Sequence, residues 1–178
     1  IYKILQKGWN ISKLFICLSG QHEMVTDFSG FRNFFTLNFF AKPIYNAYIL
    51  SSKLYENLMD VSLENENIFV IPTKNDNDKY AVLLTYSSDC FEEDLPDIKE
   101  EIKFDADLKG KKATVYCIDK NTTNPYRLYQ KKGITELSEN DIKELRNEGN
   151  IKPIEEYTAN DKIELNLTAN SVYLITID

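Results

Sequence analysis

Hydrophobic and polar positions follow two different rhythms along this chain. In the first third, apolar positions at helical spacing over 1–8 precede a continuous apolar run at 13–19. A run without alternation is typical of a strand that is buried on both faces, as in a parallel sheet. A polar loop over 20–30 and a second short apolar stretch over 34–40 follow. This order predicts a buried strand, a loop and a further short strand.

A helix is predicted to begin at Pro43, because proline at the first helical position loses no hydrogen bond. Apolar or small residues then recur at helical spacing as far as Leu58. They are Ile44, Ala47, Tyr48, Ser51, Leu54, Tyr55 and Leu58.

From about Val61 the chain alternates short apolar runs with polar turns, which predicts a β-sandwich of seven to nine strands. The runs at 67–71 and 80–86 read as a hairpin, and 163–167 alternates apolar with polar residues like a half-buried strand. The predicted strands cover 67–71, 80–86, 98–104, 113–119, 154–157, 163–167 and 172–177.

A small helical insertion is predicted within the β region, at about 125–149. Its first helix runs from Pro125 to a stop at Gly133. Its second helix begins at Ser138, with Asp141 three residues later in a capping-box arrangement, and ends at Gly149.

Charge narrows the possible partners. The formal net charge is −7, and the acidic segment 89–107 holds nine acids and two lysines, so the rest of the chain is close to neutral. Because phosphate binding needs a patch of Lys and Arg, we expect no direct binding of nucleic acid. No apolar run is long enough for a membrane span.

The three cysteines, Cys17, Cys90 and Cys117, match neither zinc nor redox spacing. We expect Cys17 and Cys117 to be buried thiols, which fits a reducing cytoplasm. His22 is the one histidine, so no histidine cluster for a metal is expected.

Several motifs give the chain a resemblance to glycoside hydrolase family 39, the β-xylosidases and α-L-iduronidases. Phe28-Ser29-Gly30-Phe31 precedes Lys42-Pro43 and an aromatic helix, as a Phe-x-Gly-Gly-Phe stretch does in that family. Further along, 115–119 resembles the family's Tyr-x-Ile-Asp strand, and Asn124, Tyr129, Gly133 and a short Leu-containing helix follow it. The resemblance covers nearly the whole chain. It implies a mainly β fold: the end of a (β/α)8 barrel over 1–60, followed by a β-sandwich domain over 61–178.

The resemblance also implies where catalysis lies. The family is a retaining system with two glutamates, whose carboxyl groups stand about 5 Å apart across the sugar. Those glutamates belong to strands that precede Ile1, so no catalytic residue and no cofactor are expected here. His22 and Glu23 are candidate ligand-binding residues, since barrel sites lie at the carboxyl ends of strands. Gly20 replaces the family's usual Asp, and the alternative is that His22 and Glu23 are exposed loop residues.

Three functions therefore stay open at this stage. The first is a non-catalytic glycosidase-like module of a larger bacterial protein, an AraC-type transcription regulator, with a sugar-sensing or structural role in the cytoplasm. The drift of the strand-end motif favours this function. The second is the C-terminal portion of an active retaining β-xylosidase-like enzyme, and the third is a stand-alone sugar-binding sandwich. Expected partners are upstream domains of the same polypeptide, a carbohydrate ligand and, through the apolar strand over 13–19, a second copy of the chain.

Overall fold

The fold is mainly β, with two antiparallel sheets and three helices in the described part of the chain. The computed structural model describes residues 7–8, 22–30, 32–61, 64–88, 95–103, 106–133, 136–160 and 162–178. The predicted strand over 13–19, which contains Cys17, lies outside those residues, and so does Cys90. The elements are α1 (Pro43–Ser51), β1 (Asn57–Leu58), β2 (Ile68–Lys74), β3 (Tyr80–Tyr86), β4 (Ile98–Lys103), β5 (Lys112–Ile118), α2 (Pro125–Lys132), α3 (Glu139–Glu148), β6 (Pro153–Thr158), β7 (Lys162–Leu167) and β8 (Ser171–Ile177).

The larger sheet has six strands in the order β1-β2-β3-β8-β5-β6, and β4 pairs with β7 in a second sheet of two strands. The predicted sandwich and its strand positions are thus confirmed. Although β4 and β5 follow each other in sequence, they lie in different sheets. The connection between them crosses from one layer to the other.

Strand β2 runs three residues beyond its predicted end and includes Pro72. Proline cannot donate a ladder hydrogen bond, so it usually argues against a strand interior. Here the Pro72 carbonyl accepts from the Met59 N–H at 2.9 Å, which shows that the backbone groups of Pro72 point towards β1. Its missing N–H therefore costs β2 no bond to β3.

The main core lies between the two sheets. Strand β7 alternates exposed and buried residues along its length, as predicted, and turns Ile163, Leu165 and Leu167 inward. They pack with Ile102 of β4 against residues of the larger sheet. The buried residues of the larger sheet in this core are Ile68, Val70, Tyr80, Val82, Leu84, Tyr86, Ala113, Val115, Cys117, Tyr173, Ile175 and Ile177.

A second core lies on the opposite face of the larger sheet, where helix α1 covers it. Leu50 of α1 packs with Leu83, Ile118 and Leu174, and all four are buried. Strands β3, β5 and β8 are therefore covered on both faces. This explains why the β3 sequence Ala81-Val82-Leu83-Leu84 is continuously apolar rather than alternating.

The predicted length of α1 was wrong, because the helix ends at Ser51 and not near Leu58. The Ser51 and Ser52 hydroxyls donate to carbonyls one turn back, at 2.8 Å each. Such bonds compete with regular helix continuation. The chain then turns, and Asn57 and Leu58 pair with β2 as a short edge strand.

The predicted strand over 34–40 was also wrong, since Phe35 forms only isolated bridges, to His22 and Ala41. A tight turn interrupts the stretch: the Phe39 N–H donates to the Thr36 carbonyl at 3.0 Å. Phe39 adopts a φ of 60°, in the left-handed region that a bulky residue rarely occupies. The aromatic composition indicated a strand, but the turn leaves no continuous ladder.

The helical insertion is confirmed, with Gly133 in a left-handed cap at a φ of 57° and a capping box between Ser138 and Asp141. It packs against α1 and against the segment that precedes α1. The Asn46 side chain donates to the Gly149 carbonyl at 2.7 Å, and the Phe28 ring lies 5.1 Å from that of Tyr129. None of the described helices is long and apolar enough to cross a membrane.

Burial on both faces of the sheet predicts a large effect at Leu174. Leu174→Ala should lower the free energy of unfolding by about 2–5 kcal/mol, because it leaves a cavity beneath α1. Leu58→Ala, at a position that is 55% exposed, should change it by less than about 0.5 kcal/mol. Urea unfolding of both variants tests this. Equal small effects would mean that α1 does not cover the sheet in solution.

The hydrogen bonds of Asp141 predict that acid destabilises the helical insertion. Hydrogen bonds from Lys132 and from the Ser138 hydroxyl and N–H lower the pKa of Asp141 from 3.8 to about 2. A lowered pKa stabilises the fold above the ordinary value, and that contribution is lost as the pH falls from 3.8 towards 2. Asp141→Asn should reduce the melting temperature at pH 7 and flatten its fall over that acid range. Glu136→Gln, at an exposed carboxylate nearby, is the matched control; an unchanged acid limb in Asp141→Asn would contradict the assignment.

Candidate functional site

The segment from His22 to Lys42 carries both residues that the sequence singles out. Backbone hydrogen bonds join both of its ends to Phe34 and Phe35 between them: the Glu23 N–H donates to the Phe35 carbonyl at 3.0 Å, and the Lys42 N–H donates to the Phe34 carbonyl at 2.9 Å. Lys42 is also the N-cap residue of α1. The segment is therefore attached directly to the helix that covers the sheet.

Glu23 lies inside the protein, with 1% of its surface exposed. Its Oε1 accepts a hydrogen bond from the Lys42 Nζ at 2.5 Å and another from the Gly30 N–H at 3.1 Å. The same Lys42 ammonium donates to the Asn33 Oδ1 at 2.7 Å. We call Glu23, Asn33 and Lys42 the buried polar cluster. Because the cluster pairs one negative with one positive charge, it is electrically neutral.

Two atoms of the buried polar cluster have no hydrogen-bond partner in the described part of the chain, namely the Glu23 Oε2 and the Asn33 Nδ2. Asn33 is 2% exposed, so protein covers almost all of its surface. A buried polar group without a partner costs about 1–3 kcal/mol. Two such atoms in one cluster make it the most unusual polar feature of the segment.

His22 points outward instead. Its ring stacks on that of Phe39, with 5.0 Å between the centroids and 27° between the planes. Phe39 is 60% exposed, so the pair presents an aromatic surface to solvent. His22 and Glu23 are thus neighbours in sequence whose side chains lie on opposite sides of the chain. His22 is exposed as the loop alternative expected, but Glu23 is not.

The exposed position of Phe39 depends on a second carboxylate, Asp27. Its two oxygens accept from the Asn38 N–H at 2.8 Å and from the Asn38 Nδ2 at 2.6 Å. These bonds hold the turn in which Phe39 takes its left-handed conformation. Left-handed conformations in bulky residues persist only where the surroundings enforce them, and they gather at functional sites.

Sequence reasoning missed Asn33, Lys42, Asp27 and Asn38 as members of the site. Lys42 stood out only as part of the Lys-Pro motif at the start of α1. A carboxylate and a lysine nineteen residues apart carry no local signal. Only the return of the chain at Phe35 brings them together.

Potentially reactive and charged side chains outside this segment take part in other contacts. Burial, together with the nearby Asp119 carboxylate, raises the pKa of the Cys117 thiol to about 12, so it stays protonated and unreactive at neutral pH. In the described residues, no three His, Cys, Asp or Glu side chains come together as a possible metal site. The lysines at both ends of β4 form ion pairs with acidic neighbours.

Comparison with known proteins identifies the fold. No protein-family model and no curated protein sequence matches the chain. Among solved structures, it is similar to a monomeric β-xylosidase from Caulobacter crescentus CB15, with a TM-score of 0.70 and 17% identity. The match covers 87% of this chain and 34% of that one. The GH39 enzyme from Xanthomonas axonopodis pv. citri matches with a TM-score of 0.67 and 16% identity, over 86% of this chain and 33% of the other.

The chain thus spans about a third of the length of the glycoside hydrolases that it resembles. The matching third is their C-terminal part, which contains a β-sandwich. At this identity the likeness shows a shared fold. It confirms the glycoside hydrolase family 39-like architecture that the sequence motifs implied.

The buried ion pair predicts an asymmetric mutational response. Lys42→Met should cost about 3–5 kcal/mol, because it leaves the Glu23 carboxylate buried without a counter-charge. The double variant Glu23→Gln with Lys42→Met should recover part of that loss. Lys79→Met removes an exposed pair with Asp178 at 3.0 Å and should cost no more than about 1 kcal/mol. Chemical denaturation measures all three; a double variant no more stable than Lys42→Met would argue against the pair.

Proposed function

We propose that this chain is a non-catalytic, glycosidase-like β-sandwich module of a larger bacterial protein. In this proposal the His22–Phe39 surface and the buried polar cluster beneath it sense or position a carbohydrate rather than hydrolyse it. The parent protein is an AraC-type transcription regulator of the cytoplasm, an assignment that rests on the sequence resemblance alone. The upstream domains of that polypeptide are its first partners.

For this chain itself, one observation carries the non-catalytic part of the proposal, namely the burial and ion pairing of Glu23. A retaining glycosidase needs two carboxyl groups that face the sugar, about 5 Å apart. The Glu23 carboxylate is buried and ion-paired with Lys42 at 2.5 Å. In this arrangement the Glu23 carboxylate does not face an open sugar site as a catalytic carboxylate would, and it acts as an anchor of the segment.

A second candidate function is the C-terminal portion of an active retaining β-xylosidase-like enzyme. The fold shared with the Caulobacter β-xylosidase favours it. In that case the catalytic glutamates would lie upstream of Ile1, and this chain would support the barrel that carries them.

Measurements on the full-length parent protein distinguish the two candidate functions. We expect xylose, xylobiose or a uronic-acid sugar to raise its melting temperature, without hydrolysis of an aryl β-xyloside. Steady hydrolysis that is lost when upstream glutamates are replaced would establish the enzyme instead. Neither binding nor hydrolysis would leave a structural role for the module.

The possible homodimer also stays a prediction, because its expected strand over 13–19 lies outside the described residues. Half of the large apolar side chains that are exposed in the described part lie on the same segment as the candidate site: Met24, Val25, Leu37 and Phe39. Where such side chains form one contiguous patch, they are typical of a surface that contacts another molecule. The upstream domains and a second copy are both compatible with it.

A further inference from the structure

The unpaired atoms of the buried polar cluster define what could bind there. The Glu23 Oε2 is an acceptor and the Asn33 Nδ2 is a donor, and neither has a partner in the described part of the chain. A hydroxyl group both donates and accepts, so one oxygen atom can satisfy both.

The orientation of the Asn33 amide is fixed by chemistry. Its Oδ1 accepts from the Lys42 ammonium at 2.7 Å. An ammonium has only donors, so a flipped amide would set its NH2 group against Lys42. The free atom must therefore be the Nδ2, a donor.

Charge excludes other occupants. An anion at this position would be repelled by the Glu23 Oε2. A cation would be repelled by the Lys42 ammonium and would lie against the hydrogens of the Asn33 NH2 group. Because the Glu23 carboxylate and the Lys42 ammonium lie 2.5 Å apart, these two charges of the cluster offset each other, which favours a neutral group.

We propose that Glu23 and Asn33 together hold one neutral hydroxyl group at the buried polar cluster. Solvent water and a hydroxyl of a sugar or polyol are the two sources of that group. The second source rests on the proposed function, since it makes the cluster an anchor for the carbohydrate. Because Glu23 and Asn33 are at most 2% exposed, a sugar or polyol reaches them only after the residues that cover them rearrange.

Crystal structures of the 178-residue chain, alone and soaked with xylose or xylitol, test the proposal. We expect electron density for one oxygen within about 2.6–3.2 Å of both the Glu23 Oε2 and the Asn33 Nδ2. A water in both crystals supports the site with solvent as its source. A sugar or polyol hydroxyl that replaces the water supports the ligand source. No density at this position, or a protein group that occupies it, overturns the proposal.

A thermal-shift titration separates this proposal from the proposed function. Where the ligand supplies the hydroxyl, xylose should raise the melting temperature of the wild-type chain, and tetrahydropyran, a similar ring without hydroxyl groups, should not. Asn33→Ala should abolish the xylose effect, whereas Asn140→Ala, at an exposed position on α3, should retain it. A xylose effect that survives Asn33→Ala would keep the sensing function and overturn the ligand source at this cluster. If Asn33→Ala does not fold, the crystals of the wild-type chain still test whether the cluster holds a hydroxyl group.

Discussion

The larger sheet depends on being covered on both faces. Strands β3, β8 and β5 form its centre, and their side chains fill two cores, one against β4 and β7 and one against α1. Removing apolar surface from water on two sides is the main source of stability available to a chain of this size. It also fixes the position of α1, because an uncovered Leu83 or Leu174 would be exposed. The segment that precedes α1 is placed by the same constraint.

The candidate site takes its geometry from that placement. Lys42 immediately precedes α1, so the packing of the helix sets where its ammonium can reach. The Glu23 and Asn33 side chains both accept hydrogen bonds from that ammonium. The helical insertion contacts the segment through the Phe28 ring and contacts α1 through the Asn46 side chain. A buried ion pair stabilises little by itself, because desolvation offsets much of the attraction. Its contribution here is to specify one arrangement of the segment.

In that arrangement His22 and Glu23, which are adjacent in sequence, have different roles. His22 and Phe39 offer an exposed aromatic surface, while Glu23 stabilises the backbone beneath it. The left-handed Phe39 and Phe28 carry backbone strain that the surrounding hydrogen bonds and packing hold in place. An exposed, strained aromatic residue contributes little to folding. Its presence is easier to understand as part of a binding surface, which supports the proposed role in binding a carbohydrate.

The sequence by itself determined the sandwich, the hairpin of β2 and β3, and both helices of the insertion. Each has a local cause: alternation in β7, turn residues at 75–79, and the caps Ser138 and Gly133. Only the tertiary structure decided where α1 ends, that 34–40 turns instead of extending, and that Glu23 is buried. The reason is that these features depend on partners far along the chain, such as Lys42 for Glu23 and β2 for Leu58. Local propensity determines which secondary structures a segment can adopt. Long-range burial and strand pairing determine which of them it adopts in the folded protein.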